Sequence, residues 1–139
     1  MTSVPVRRIV APEVPALATA TWSNALLIGT ELVMSGMTAH PQTRQSSEPL
    51  GAYAQTLVVL RKLLAHVEAA GGSVRNLYKL VIYVTDIADK DEVGRARRDF
   101  FQAPYPCSTL VEVKGLVFPE LKVEIDAWAR LDVDLSLAA

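Results

Sequence analysis

The stretch from Leu121 to Leu131, "LKVEIDAWARL", alternates without a break: Val123, Ile125, Ala127 and Ala129 fall on one side, and Lys122, Glu124, Asp126, Trp128 and Arg130 on the other. Successive side chains of a strand point to opposite faces, so this segment reads as a strand covered on one side only. A chain containing it must build a sheet with one face against a core and one that carries charge together with a large aromatic. An open face of that composition suits either subunit association, with a polar pocket between subunits, or plain solvation.

The other elements follow from their periods. A short strand is predicted at Arg7 to Val10, and "SNALLIGTELVMSG" reads as a β-hairpin joined by Gly29-Thr30-Glu31. Residues 38–49 are polar and turn-rich, hence a loop. From Leu50 to Ala70, the residues Tyr53, Leu57, Leu60, Leu64 and Val67 recur at three- and four-residue spacing and predict one buried helix face, which Gly71-Gly72 ends. "LYKLVIYVTD" is a buried strand by its β-branched and aromatic content. Asp86 and Asp89 can cap a second helix from Asp91 to Phe101, terminated by Pro104 and Pro106. Strands at Ser108 to Lys114 and Leu121 to Leu131 complete the order βββαβαββ. This order predicts an α+β fold with both helices on one face of a mixed sheet.

Composition acts by exclusion. The chain has 139 residues, 50% of them hydrophobic and 21% charged, which suits one domain over 1–139. A net charge of -1 without a long basic run gives no support to nucleic-acid binding. A single cysteine makes no internal disulfide and offers no metal-ligand spacing, so a reducing compartment, the cytoplasm, is expected. No stretch approaches the roughly 20 apolar residues of a membrane span. Pro12 and Pro15 interrupt the apolar segment that a signal peptide would need.

In "YPCSTLVEVKGL", residues 105–116, Cys107, Ser108 and Thr109 stand together at a strand entrance. No Cys-His pattern accompanies Cys107, so a small residue at a strand entrance describes it better than a nucleophile. Alternation groups Ser108 with Leu110 and Glu112, a face predicted to line a pocket, and Thr109 with Val111 and Val113, a face predicted to meet the helices. Glu124 and Asp126 share the charged side of the last strand, where paired carboxylates raise one another's pKa if buried. His40 and His66 lack a partner nearby in sequence and read as surface or core residues. Arg95, Arg97 and Arg98 read as a solvated helix face, the alternative being that one of them reaches the pocket.

Three segments, "TWSNALLIGTELVMSGM", "AAGGSVRNLYKLVIYVTDIADKDEVGRARRDFF" and "YPCSTLVEVKGLVFPELKVEIDAWA", together resemble the Rid (YjgF) family of reactive-intermediate deaminases, over about residues 18–131. The resemblance implies a chorismate-mutase-like fold and a homotrimer with one site in each cleft between subunits. It implies hydrolysis of enamines and imines, such as 2-aminoacrylate, to a keto acid and ammonia, with no metal or organic cofactor. It also implies the site. Glu124 matches the family's glutamate that helps position the attacking water. Trp22 stands where a tyrosine is usual, and Ser35 and Gly36 match a Ser-Gly pair that lines the pocket. Gly94 replaces a common asparagine, and Leu110 a cysteine. Ser108 falls where the family carries the arginine that binds the substrate carboxylate.

A bidentate arginine suits the carboxylate of a 2-keto-acid imine. Its loss implies a rebuilt pocket for a larger or less charged ligand. The expected activity is therefore hydrolytic deamination with altered specificity. The alternative is a non-catalytic trimeric protein that binds a small molecule on the same scaffold. A ribonuclease reading lacks a basic groove.

Overall fold

The computed structural model describes residues 2–139. Six strands form one sheet: β1 Val6–Arg8, β2 Ala25–Ile28, β3 Glu31–Met37, β4 Leu77–Val84, β5 Cys107–Glu112 and β6 Val123–Arg130. Their spatial order is β1-β2-β3-β6-β4-β5. Only β4 and β5 run parallel, so the sheet is mixed. Between β3 and β4 lie α1 Gln42–Gln45 and α2 Ala52–Ala69, while α3 Lys90–Phe100 carries the chain from β4 to β5. Helix α2 packs over β3 and β6 and beside α3, which places the two main helices on one side of the sheet, as the element order predicts.

Strand β6 gives the sheet its two unlike faces. Val123, Ile125, Ala127 and Ala129 are each 0% exposed on the helix side, whereas Glu124, Asp126 and Trp128 are half-buried on the other. Leu32 and Met34 of β3 and Leu80, Ile82 and Val84 of β4 extend the apolar face under Val59, Leu60 and Leu63 of α2. The hairpin between β2 and β3 turns at Gly29, whose φ of 61° suits a residue without a Cβ. Helix α2 stops in a Schellman arrangement: Gly72 N–H donates to the Val67 carbonyl and Gly71 N–H to that of Glu68, with Gly71 at a φ of 95°.

Several boundaries and one face differ from the sequence reading. Strand β1 is Val6–Arg8 rather than Arg7 to Val10, although Ile9 N–H still donates to the Ala25 carbonyl. The loop over 38–49 contains α1, a single turn with no buried residue. Asp86 accepts from Ala88 N–H and so caps a short 3₁₀ turn, Ile87–Asp89, while Asp89 stands at the start of α3 without a capping bond.

The buried stripe of α2 runs through Ala52, Gln55, Thr56, Val59, Leu60, Leu63 and His66. Of the five residues predicted for it, Leu60 and Val67 are buried; Tyr53, Leu57 and Leu64 are half-buried at its flank. The misreading has a physical cause, because the stripe contains polar residues that bond to backbone carbonyls one turn earlier in the helix. Thr56 Oγ1 donates to the Ala52 carbonyl at 2.7 Å, and His66 Nδ1 donates to that of Lys62 at 2.7 Å. Burial pushes the His66 pKa down, so the ring is a neutral core residue. Tyr53 instead turns to α3, where its hydroxyl donates to Asp99 at 2.6 Å and the Arg95 guanidinium lies 3.6 Å above its ring.

Two buried polar side chains of α2 hold the ends of β3 and β6. Gln55 is 0% exposed; its amide donates to the carbonyls of Leu50 at 2.8 Å and Glu120 at 3.0 Å, and its oxygen accepts from Lys122 N–H at 2.9 Å. Lys62 Nζ donates to the carbonyls of Thr38 at 2.8 Å and His40 at 2.7 Å. Replacing Gln55 by Leu strands three backbone groups without their partner. At about 1 kcal/mol or more for each, Gln55→Leu is expected to lower stability by about 2–4 kcal/mol, read as a reduced urea midpoint at unchanged m-value. A loss below about 0.5 kcal/mol would show that the amide does not clamp these segments.

Candidate active site

The register of β4, β5 and β6 decides which side chains share the open face. Tyr83 lies opposite Glu124, Val81 opposite Asp126 and Lys79 opposite Trp128. On the other side of β4, Lys79 lies opposite Cys107, Val81 opposite Thr109 and Tyr83 opposite Val111. Directly opposed residues point the same way. The open face therefore carries Glu124 and Asp126 with Tyr83, Lys79 and Thr109. Tyr83 Oη donates to Asp126 Oδ2 at 2.9 Å, and Lys79 Nζ donates to Thr109 Oγ1 at 3.1 Å.

Strand β3 meets this pair through an irregularity. Met34 lies opposite Ala127 and Met37 opposite Ile125, so Ser35 and Gly36 together oppose the single residue Asp126: a β-bulge. A Cβ on Gly36 would come within 2.9 Å of both Asp126 Oδ1 and Glu124 Cδ. Glycine here lets the backbone lie against both carboxylates. The Ser35 hydroxyl donates to the Ser23 carbonyl at 2.6 Å, which ties the segment beside Trp22 to the bulge. Trp22 itself is 56% exposed. Gly36 and Glu124 thus lie in direct contact, with Ser35 beside them, while Trp22 adjoins the segment that Ser35 ties down.

Glu124 has the chemistry of an acid–base group. Its burial, and then the neighbouring Asp126 carboxylate, raise its pKa above the ordinary glutamate value. Asp126 is occupied by the Tyr83 hydroxyl, whose own pKa this bond raises. The pair is therefore unequal: Asp126 is held, and Glu124 has no partner within hydrogen-bond reach among the described residues. Those residues contain no group of three or more His, Cys, Asp or Glu side chains arranged to hold a metal ion.

Ser108, Leu110 and Gly94 lie elsewhere. Ser108 is opposite Leu80, Leu110 opposite Ile82 and Glu112 opposite Val84, and all three partners are core residues. Ser108 thus faces the helix side and Thr109 the open side, the reverse of the sequence reading. Because β5 is an edge strand with only Leu110 half-buried, apolar alternation within it does not mark the inner face. Ser108 Oγ accepts a hydrogen bond from Arg97 Nη1 at 2.7 Å, and Gly94 lines the same groove. Arg95 and Arg98 are exposed as expected of a solvated face, but Arg97 is half-buried. Its position was legible as spacing: Arg97 follows the buried Val93 by four residues and lies on the inward stripe of α3.

Within one chain, then, the residues of interest form two groups on opposite sides of the sheet, one around Glu124 and one around Ser108. Among the described residues no helix is long and apolar enough to cross a membrane.

The fold and much of the sequence are shared with known proteins. The family model described as Endoribonuclease L-PSP matches residues 13–131. Protein PA3499 of Pseudomonas aeruginosa, described as of unknown function, superposes with a TM-score of 0.95 at 64% identity, covering 98% of this chain and 99% of that one. RutC family protein y4sK of Sinorhizobium fredii is 32% identical over 107 residues, 76% of this chain and 83% of its own. The Escherichia coli protein named "Putative reactive intermediate deaminase TdcF" is 34% identical over 92 residues, 64% of this chain and 69% of its own. The chain belongs to this family, the Rid or YjgF family, as its sequence resemblance implied.

The contact at Gly36 is testable without a substrate. Gly36→Ala is expected to cost about 1–3 kcal/mol by forcing two carboxylates aside, whereas Gly115→Ala, with nothing within 4 Å of the added methyl, is near neutral. Equal melting temperatures for the two variants would disprove the close approach.

Proposed function

We propose that the chain hydrolyses reactive imines and enamines, converting C=N to a carbonyl and releasing ammonia, in a cleft formed between copies of itself in a homotrimer. The observation that carries this reading is Glu124, half-buried with a raised pKa and no partner of its own, on a face the helices leave open. Family membership and the name given to TdcF support the reaction class.

The chemistry asks little of the protein. An imine is already electrophilic, and an enamine becomes one when its carbon takes a proton and its nitrogen gives one up, so holding the imine beside an oriented water and relaying the water's two protons in turn to nitrogen suffices. Glu124 takes the proton of the water as oxygen adds to carbon. Passed to the nitrogen, that proton completes a carbinolamine; Glu124 then takes the proton of the new hydroxyl and passes it to the same nitrogen, so that the C–N bond breaks as C=O forms and ammonia leaves. Asp126, held by Tyr83, keeps the Glu124 pKa raised, which favours that return step. Gly36 lets the β3 backbone lie against both carboxylates.

The separation of the two groups supports a composite cleft. If Ser108, Gly94 and Leu110 contribute to the same site as Glu124, they come from another copy, whose β5 edge meets the open face. A second reading, a trimeric binding protein without turnover, draws on Ser108 standing where the family has a strand arginine. Cleavage of RNA is disfavoured because two carboxylates face the open side and would repel a phosphodiester.

Following the decay of enzymatically generated 2-aminoacrylate, and of bulkier imines, tests the reading. Turnover by the wild type is expected to fall by about 10²-fold or more in Glu124→Gln, and wild-type rates are expected to rise with pH through the raised Glu124 pKa. Stability gives an independent readout with the opposite sign. A carboxyl whose folded pKa is raised is neutral in both states at low pH, and charging it in the folded chain costs stability as pH rises. Glu124→Gln is thus expected to be more stable than wild type at pH 7 and equal to it near pH 4. Equal decay of every imine with and without protein would end the enzymatic reading and leave the binding one.

A further inference from the structure

Arg97 is out of place for a surface arginine. Its guanidinium is half-buried, it makes no ion pair among the described residues, and its hydrogen-bond partner is the neutral Ser108 hydroxyl at 2.7 Å. Burial pushes its pKa down, the mark of a cation that has lost water without gaining an anion. Arg95, on the same helix, shows the ordinary arrangement: an ion pair with Glu92 at 2.7 Å.

The guanidinium lines a groove of about 280 Å³ between α3 and the entrance to β5. Leu80, Phe101, Tyr105 and Pro106 supply apolar walls, Arg97 and Arg98 supply positive charge, and no carboxylate lines it. Gly94 sits at the middle of α3, where glycine costs helix stability. An alanine methyl there would meet Arg97 Nη2 at an ordinary 3.5 Å, so packing does not demand the glycine, and its absent side chain leaves the guanidinium open to the groove.

We infer that Arg97, steadied by Ser108, is the anion-binding group of this groove, and that its ligand is an organic monocarboxylate carrying a flat apolar group. The carboxylate pairs with the guanidinium, and the apolar group lies against Tyr105, Phe101 and Pro106. The volume, just below the usual range for small-molecule sites, fits a single-ring acid. This rests on the proposed activity only in naming the acid as a substrate or product. The serine at 108 then has a positive role: a longer side chain there would fill the space the guanidinium occupies.

The experiment uses the full-length protein as purified, with phenylacetate, its isostere phenylacetamide and inorganic phosphate as probes in calorimetric titrations. Phenylacetate is expected to bind about tenfold or more tightly than phenylacetamide, as a charge-assisted pair requires. Phosphate is expected to bind weakly, having no apolar group to place. Arg97→Gln should abolish the preference for acid over amide. Amide NMR shifts on titration should centre on Ser108 and Tyr105, which keeps the test decisive if Arg97→Gln does not fold. Equal binding of acid and amide, no binding of either at millimolar concentration, or an unchanged preference in Arg97→Gln would each overturn the inference. Glu124→Gln separates the two ideas. Loss of turnover with acid binding retained supports both, and binding without turnover by the wild type removes only the deaminase reading. Imine turnover in an Arg97→Gln variant that keeps its acid preference removes only the Arg97 site.

Discussion

Strand β6 lies between β3 and β4 and pairs antiparallel with both, so its side chains set the depth of the sheet on both sides. Its four inward residues are fully buried and small or β-branched, which lets α2 sit close. Its outward residues are carboxylates and an indole that no helix covers. Any shift of β6 by one residue would exchange these sets, burying two carboxylates and exposing the core. The buried bonds of Gln55 and Lys62 act at this point, holding the segments that lead into β6 and out of β3. The chemistry at Glu124 thus depends on packing from the far side of the sheet.

Legibility followed the contrast between faces. The last strand could be read residue by residue because one of its sides is wholly apolar. The edge strand β5 could not: all its residues except Leu110 are exposed, so nothing in its own pattern says which way Ser108 points. That orientation comes from the parallel pairing with β4, a long-range fact. Helix α2 failed differently. Its buried stripe contains Gln55, Thr56 and His66, each bonded to a backbone group through its amide, hydroxyl or Nδ1, while Tyr53 is drawn to Asp99 and Arg95. A hydrophobicity pattern has no means of seeing a satisfied polar group.

The candidate site divided along the same line. Glu124 and Gly36 were legible, the first by alternation together with family resemblance and the second by resemblance alone. The reason for the glycine, two carboxylates closer to where a Cβ would be than van der Waals contact allows, needed coordinates. Tyr83 was missed because it sits in a strand that reads as uniformly apolar. Arg97 was grouped with two neighbours that are exposed, although its four-residue distance from Val93 distinguished it.

Arg97 and Ser108 are eleven residues apart and belong to one β4–α3–β5 unit, whereas Glu124 comes from a strand beyond it. The proposed anion-binding half is therefore contiguous in sequence, and the carboxylate half is separate from it. In an assembly where each cleft borrows one half from each of two copies, a subunit defective in one half and a subunit defective in the other would rebuild intact clefts when mixed. A site shared in this way is a property of pairs of chains, and so open to complementation in a way that a site contained in one chain is not.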